Sequence, residues 1–146
     1  MAASFTATRV SIATVLVLVS AIYEAVRNRV IGSCNASWPV RTIAFLTNLF
    51  HHVLSVYTWF GGFLFGMPVL HLVLICTIFA LWYIFGSDCI LHVWYQSLCG
   101  YKSTAFFDAF DLLTWGNGRL AKNWAAYVVI GFDILMIALT TCAETR

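Results

Sequence analysis

Four stretches of this chain, at roughly 8–26, 43–65, 69–86 and 124–142, are apolar runs of the length, or nearly the length, that a helix needs to cross a bilayer, about 20 residues. Nothing else in the sequence restricts the fold as much. In hydrocarbon every backbone N–H and C=O must find its partner without water, and a helix does this within its own segment. Composition agrees: 62% of the 146 residues are hydrophobic and only 10% are charged, where a soluble domain carries about 25% charged residues. Eight Lys and Arg with six Asp and Glu cannot clothe a water-soluble domain of this size, so lipid must be the solvent for much of the chain. The net charge of +2 is small and scattered, which excludes a basic nucleic-acid-binding face. The expected fold is all-α: a polytopic membrane helical bundle of four transmembrane helices, with one or two interfacial helices between the third and fourth, forming one integral membrane domain over residues 1–146.

The second and third spans are separated only by Gly66-Met67-Pro68. Glycine ends a helix and proline suits the first turn of the next, so the two spans form a tight antiparallel hairpin. Beyond the third span, Ile90, Leu91, Trp94 and Leu98 recur at helical spacing opposite Ser87, His92 and Gln96, the pattern of a short helix lying in the interface. A second such piece is expected from Ser103 or Thr104 through Trp115, closed by the Gly116-Asn117-Gly118 turn. Trp38, Trp59, Trp94, Trp115 and Trp124 fall mostly near span ends, as an aromatic belt requires. Cys34, Cys76, Cys89, Cys99 and Cys142 are odd in number and irregular in spacing, so no disulfide framework is expected.

Lys and Arg near the span ends set orientation. Arg27, Arg29 and Arg41 lie in the first loop and Lys102, Arg119 and Lys122 in the third, against Arg9 and Arg146 on the other side. This places both termini away from the cytoplasm or matrix. Two features point the other way: Val19 and Ala21 fit a signal-peptidase site, and Asn35-Ala36-Ser37 is a glycosylation sequon that a luminal loop would make usable. The uncleaved four-span arrangement accounts for more of the charge pattern.

Ionisable groups inside a span cost at least about 2.5–3.5 kcal/mol on insertion scales, so each needs a partner or a purpose. In the second span Asn48, His51, His52, Ser55, Thr58, Trp59 and Gly62 recur at intervals of three and four and form one broad polar stripe that should face protein. Asp133 lies near the centre of the fourth span. With the second and fourth spans running in the same direction, His51 and His52 fall about 3–5 Å from mid-span by helical rise, close to the level of Asp133. The expected candidate site is therefore a buried polar layer of His51, His52, Asp133, Asn48 and Ser55, in which a histidine pairs with Asp133. Such a layer either fixes helix packing or relays protons. Glu24, near the end of the first span, is accounted for by Arg27 three residues on or by interfacial water.

Other chemistry is less well supported. A haem iron needs two ligands at one depth, and His71, a few residues into the third span, lies more than a helical turn from the level of His52. Cys89, His92 and Cys99 resemble metal spacing but lack a fourth ligand. Gly62 and Gly66 form a small-xxx-small pair, which either packs helices closely or ends the helix before the hairpin; the second use is preferred. No nucleophile elbow, phosphate loop, HExxH or paired catalytic carboxylates occur. No catalytic, cofactor or metal residues are assigned.

The order of "FHHV" with "WFGG", then "LHLVL", then "SDCILHVWY" resembles a family of small multi-span membrane proteins of unknown function, over about residues 45–100. That family carries a histidine and glycine in one span and Cys-x-Leu-Thr-x-x-Glu after the next. Cys89 and Leu91 match; His92 stands where threonine is expected and Tyr95 where glutamate is. The resemblance implies a fold and a membrane location, with no assigned activity. The expected function is that of a non-enzymatic integral membrane protein without a cofactor, a structural or accessory subunit whose partners are the bilayer and other membrane subunits. The alternatives are a small proton or ion conductor using the His and Asp layer, and a haem- or pigment-binding subunit.

Overall fold

The computed structural model describes residues 2–28, 34–85, 89–100, 110 and 118–144. They form five α-helices: α1 (Ala2–Asn28), α2 (Trp38–Phe65), α3 (Pro68–Ile84), α4 (Ile90–Cys99) and α5 (Gly118–Glu144). The described residues contain no strand. Two helices, over Thr6–Glu24 and Trp124–Ala143, are long and apolar enough to cross a membrane; α3 is apolar but shorter. The histidines and asparagine of α2 lower its hydropathy, although at 28 residues it is the longest helix of the five.

Helix α2 is the axis of the bundle, and α1, α3, α4 and α5 all pack on it. Its entry has proline in the first turn after the N-cap Ser37, and its exit is Gly66 at φ 65°, the left-handed conformation that glycine adopts without a Cβ clash. Pro68 then opens α3, and the His71 amide donates to the Met67 carbonyl at 3.0 Å. Helix α1 lies antiparallel to α2. Its Glu24 meets His52, while Arg9 reaches to within 3.8 Å of the position a Cβ on Gly66 would occupy.

Helix α4 forms where the sequence places it, but it is not a separate helix laid on the surface. Cys89 lies beside His51, mid-way along α2, and Cys99 is bonded to Cys34, ahead of the first turn of α2. Thus α3 and α4 are successive segments that run back along α2. The buried face of α4 is Tyr95 and Cys99, packed on Ala44 and Cys34, whereas Ile90 and Trp94 are exposed. The second interfacial helix and Trp115 fall outside the described residues. One disulfide, Cys34–Cys99, is formed where the cysteine spacing gave no sign of a disulfide framework. It joins residues 65 apart through a tertiary approach that cysteine spacing does not encode. Trp59, which the sequence places both in the aromatic belt and in the stripe of α2 that faces protein, is buried and faces Trp82 at 6.5 Å between ring centroids, as the second placement requires.

Polarity in this bundle is inverted. Among the described residues, ten buried side chains are polar or ionisable, as many as are hydrophobic, while thirty large hydrophobic side chains are exposed. On α1 the buried side chains are Ser20 and Glu24; Val15, Leu18, Val19 and Ile22 point outward.

Candidate functional site

The buried polar residues separate into two histidine–carboxylate pairs at different heights along α2. In the first, His52 Nε2 lies 2.7 Å from Glu24 Oε2, both side chains being at most 1% exposed. This pair fixes α1 to α2. In the second, His71 Nδ1 lies 2.6 Å from Asp133 Oδ2, both fully buried. This pair joins α3 to α5, and its other ring nitrogen reaches α2: His71 Nε2 is 3.0 Å from the Tyr57 carbonyl and 3.1 Å from that of Thr58.

Those carbonyls settle the proton inventory of the second pair. A carbonyl oxygen only accepts, so Nε2 must carry a hydrogen. The short contact between Nδ1 and Oδ2 then needs one more proton, held by either atom, and in both cases the pair is neutral overall. A neutral pair is the arrangement that low-dielectric burial favours. His52 is less constrained, since its Nδ1 has no hydrogen-bond partner among the described residues.

Room for the His71–Asp133 pair comes from two glycines of α2. A Cβ on Gly62 would lie 2.5 Å from Asp133 Oδ1 and 3.1 Å from His71 Nδ1; on Gly61 it would lie 2.8 Å from His71 Cδ2. Any side chain at either position would displace the ring or the carboxylate. Alongside, Phe63 of α2 stacks on Phe132 of α5 at 4.1 Å, and Tyr57 meets the His71 ring edge-on at 5.4 Å.

Asn48, His51, His52, Ser55 and Asp133 are all buried, but they do not form one layer. Asp133 meets His71 and not His51 or His52, because α5 is placed on α2 at Gly62, ten residues or about 15 Å by helical rise from His52. The depth comparison fails because it sets mid-span against mid-span, whereas α5 is displaced along α2 so that Asp133 meets Gly62, near the C-terminal end of α2. His51 has a different neighbour, Cys89, with Nδ1 and Sγ 3.6 Å apart. The two border an apolar cleft between α2, α3 and the start of α4, with Ser55, Trp59, Ile78 and Trp82 on its walls. The buried atoms Asn48 Oδ1, Ser55 Oγ and Asp133 Oδ1 have no hydrogen-bond partner among the described residues.

Two members of the pairs were misjudged from sequence. Glu24 is buried and paired with His52, not solvated at an interface, and His71 is the partner Asp133 required. For Glu24 a signal was present: it lies four residues after Ser20, so the two share one face of an otherwise apolar helix. The haem reading loses its second ligand, since both ring nitrogens of His71 are engaged. The metal-like spacing of Cys89, His92 and Cys99 loses Cys99 to the disulfide.

No family model, curated protein or solved structure matches this chain.

Proposed function

We propose that this chain is a small multi-pass integral membrane protein with no enzymatic chemistry of its own, acting as a structural or accessory subunit of a larger membrane complex. The observation that carries the reading is the inverted polarity: ionisable side chains lie between helices and thirty large hydrophobic ones lie outside. That distribution suits a molecule solvated by lipid and by other apolar helices. The buried charges are consumed in holding α1 to α2 and α5 to α3. In this reading α1, α2, α3 and α5 are the four membrane helices, with α4 continuing the return leg, as the resemblance to small multi-span membrane proteins would imply. The test is the native mass after extraction in mild detergent. A particle well above the 16.3 kDa chain that contains other membrane proteins is expected; a monomer under conditions that preserve known complexes would refute the subunit role.

A second reading, a proton conductor, is favoured by one observation. His52 Nδ1, Ser55 Oγ and Asp133 Oδ1 are buried without hydrogen-bond partners among the described residues; His52 and Ser55 lie on one face of α2 and Asp133 abuts Gly62 farther along that helix. Proton flux in liposomes containing the protein alone, abolished by Asp133→Asn with the fold intact, would replace the first reading by this one.

A further inference from the structure

We infer that the end of the bundle closed by Cys34–Cys99 faces an oxidising, luminal compartment, and that Asn35 there is an acceptor for an N-linked oligosaccharide. The inference rests on the membrane reading proposed above. Three observations meet at this end. The disulfide ties α4 to the start of α2, and protein disulfides persist where thiols are not kept reduced. Asn35, the next residue after Cys34, is exposed, and so is Ser37, which completes the Asn-Ala-Ser sequon. Ser37 occupies the N-cap position of α2 but makes no side-chain capping bond, so its hydroxyl is not consumed by the helix.

The sequon is held in place while its reactive groups point outward. Arg41 Nε donates to the Ala36 carbonyl at 2.8 Å, and the Arg41 amide donates to the Ser37 carbonyl at 3.0 Å. Reach is adequate as well: the 28 residues of α2 span about 42 Å, roughly 12 Å more than a hydrocarbon core. The Trp38 end, with Asn35 beyond it, can therefore stand clear of the lipid.

Charge opposes this orientation, since by the sequence reading Arg27, Arg29, Arg41, Lys102, Arg119 and Lys122 flank the spans on this side. The charge bias is a statistical preference exerted during insertion. A disulfide is a chemical requirement on the compartment, and Arg41 is committed to the sequon backbone, so the disulfide decides. The modification itself joins Asn35 Nδ2 to the anomeric carbon of a lipid-diphosphate-linked oligosaccharide: the N–C bond forms, the bond from that carbon to the diphosphate breaks, and one amide proton is lost.

The full chain made in the presence of eukaryotic endoplasmic-reticulum membranes tests this. Expected are a single endoglycosidase-sensitive step in gel mobility, absent from both Asn35→Gln and Ser37→Ala, and resistance to alkaline extraction. A chain that resists extraction yet shows no such step overturns the proposed modification and leaves the membrane reading standing. A glycosylated chain released by alkali would instead uphold the acceptor site and the luminal location while refuting the multi-pass reading. Release without a glycan refutes both.

Discussion

Gly62 is the position where one missing methyl group decides whether two helices meet. With Asp133 Oδ1 at 2.5 Å from the place its Cβ would take, Gly62→Ala must push the carboxylate away from His71. Overpacking of this kind destabilises by about 1–3 kcal/mol. Gly131→Ala is the control, since a Cβ there meets nothing within 4 Å and alanine is the better helix former by about 1 kcal/mol. Thermal unfolding in one detergent should show a lowered midpoint for the first and an unchanged or raised one for the second. Equal midpoints for the two would mean that α5 does not rest on α2 as described. The proton inventory of His71 makes a finer distinction at Asp133. An asparagine can donate its amide hydrogen to Nδ1 while Nε2–H stays on the carbonyls of Tyr57 and Thr58, so Asp133→Asn should lose no more than about 1.5 kcal/mol. Asp133→Ala leaves a buried ring nitrogen unpaired and should lose about 3–5 kcal/mol, as in other broken buried pairs. If both substitutions are equally damaging in the same unfolding assay, the shared proton sits on His71 Nδ1 and the pair is an imidazolium–carboxylate ion pair, not a neutral ring beside a protonated carboxyl.

At the scale of elements, what the sequence revealed was what local chemistry encodes. The hairpin between α2 and α3 was legible because Gly66 and Pro68 act on their own backbones. The existence of α4 was legible from its periodicity, but its inner face was not. Ile90 and Trp94 belong to the apolar stripe that the periodicity shows and are exposed, while the face turned to α2 is Tyr95 and Cys99, which periodicity does not single out and the disulfide holds in place. The start of α2 at Trp38 was also hidden. A search for membrane-length apolar runs stops at Arg41 and Thr42, although the helix continues through them to Trp38, and it gives no information on the axial offset of α5 that brings Asp133 to Gly62 and His71. The disulfide makes α4 dependent on redox state. Closing a loop of 65 residues restricts an unfolded chain by up to about 4 kcal/mol in the chain-entropy model, an upper bound where membrane helices persist in the unfolded state. Reduction should therefore speed amide hydrogen exchange in α4 by tenfold or more while leaving α1 and α5 unchanged. Uniform acceleration across all helices would show instead that the bond holds the whole bundle.

For the molecule as a whole, the two histidine–carboxylate pairs divide the bundle into regions that share only α2. Glu24 and His52 join α1 to it; His71 and Asp133 join α3 to α5 and touch it through two carbonyls and two glycines. Asp133 meets α2 at Gly62, about 15 Å by helical rise from His52, the partner of Glu24, which exceeds the roughly 7–10 Å beyond which mutational effects usually add. Within a pair the opposite holds, because removing the second partner of a broken buried pair relieves an unpaired group. Three single variants and two double ones therefore test the architecture without reference to function. Glu24→Ala combined with Asp133→Ala should destabilise by the sum of the single changes within about 0.5 kcal/mol. His71→Ala combined with Asp133→Ala should fall short of the sum by about 1 kcal/mol or more, the range of coupling between contacting residues. Strong coupling between Glu24 and Asp133 would require a continuous polar connection along α2, through Ser55 and Thr58, and that outcome is the one a proton path predicts. The same cycle that measures how the helices are held thus separates two independent locks from one connected relay.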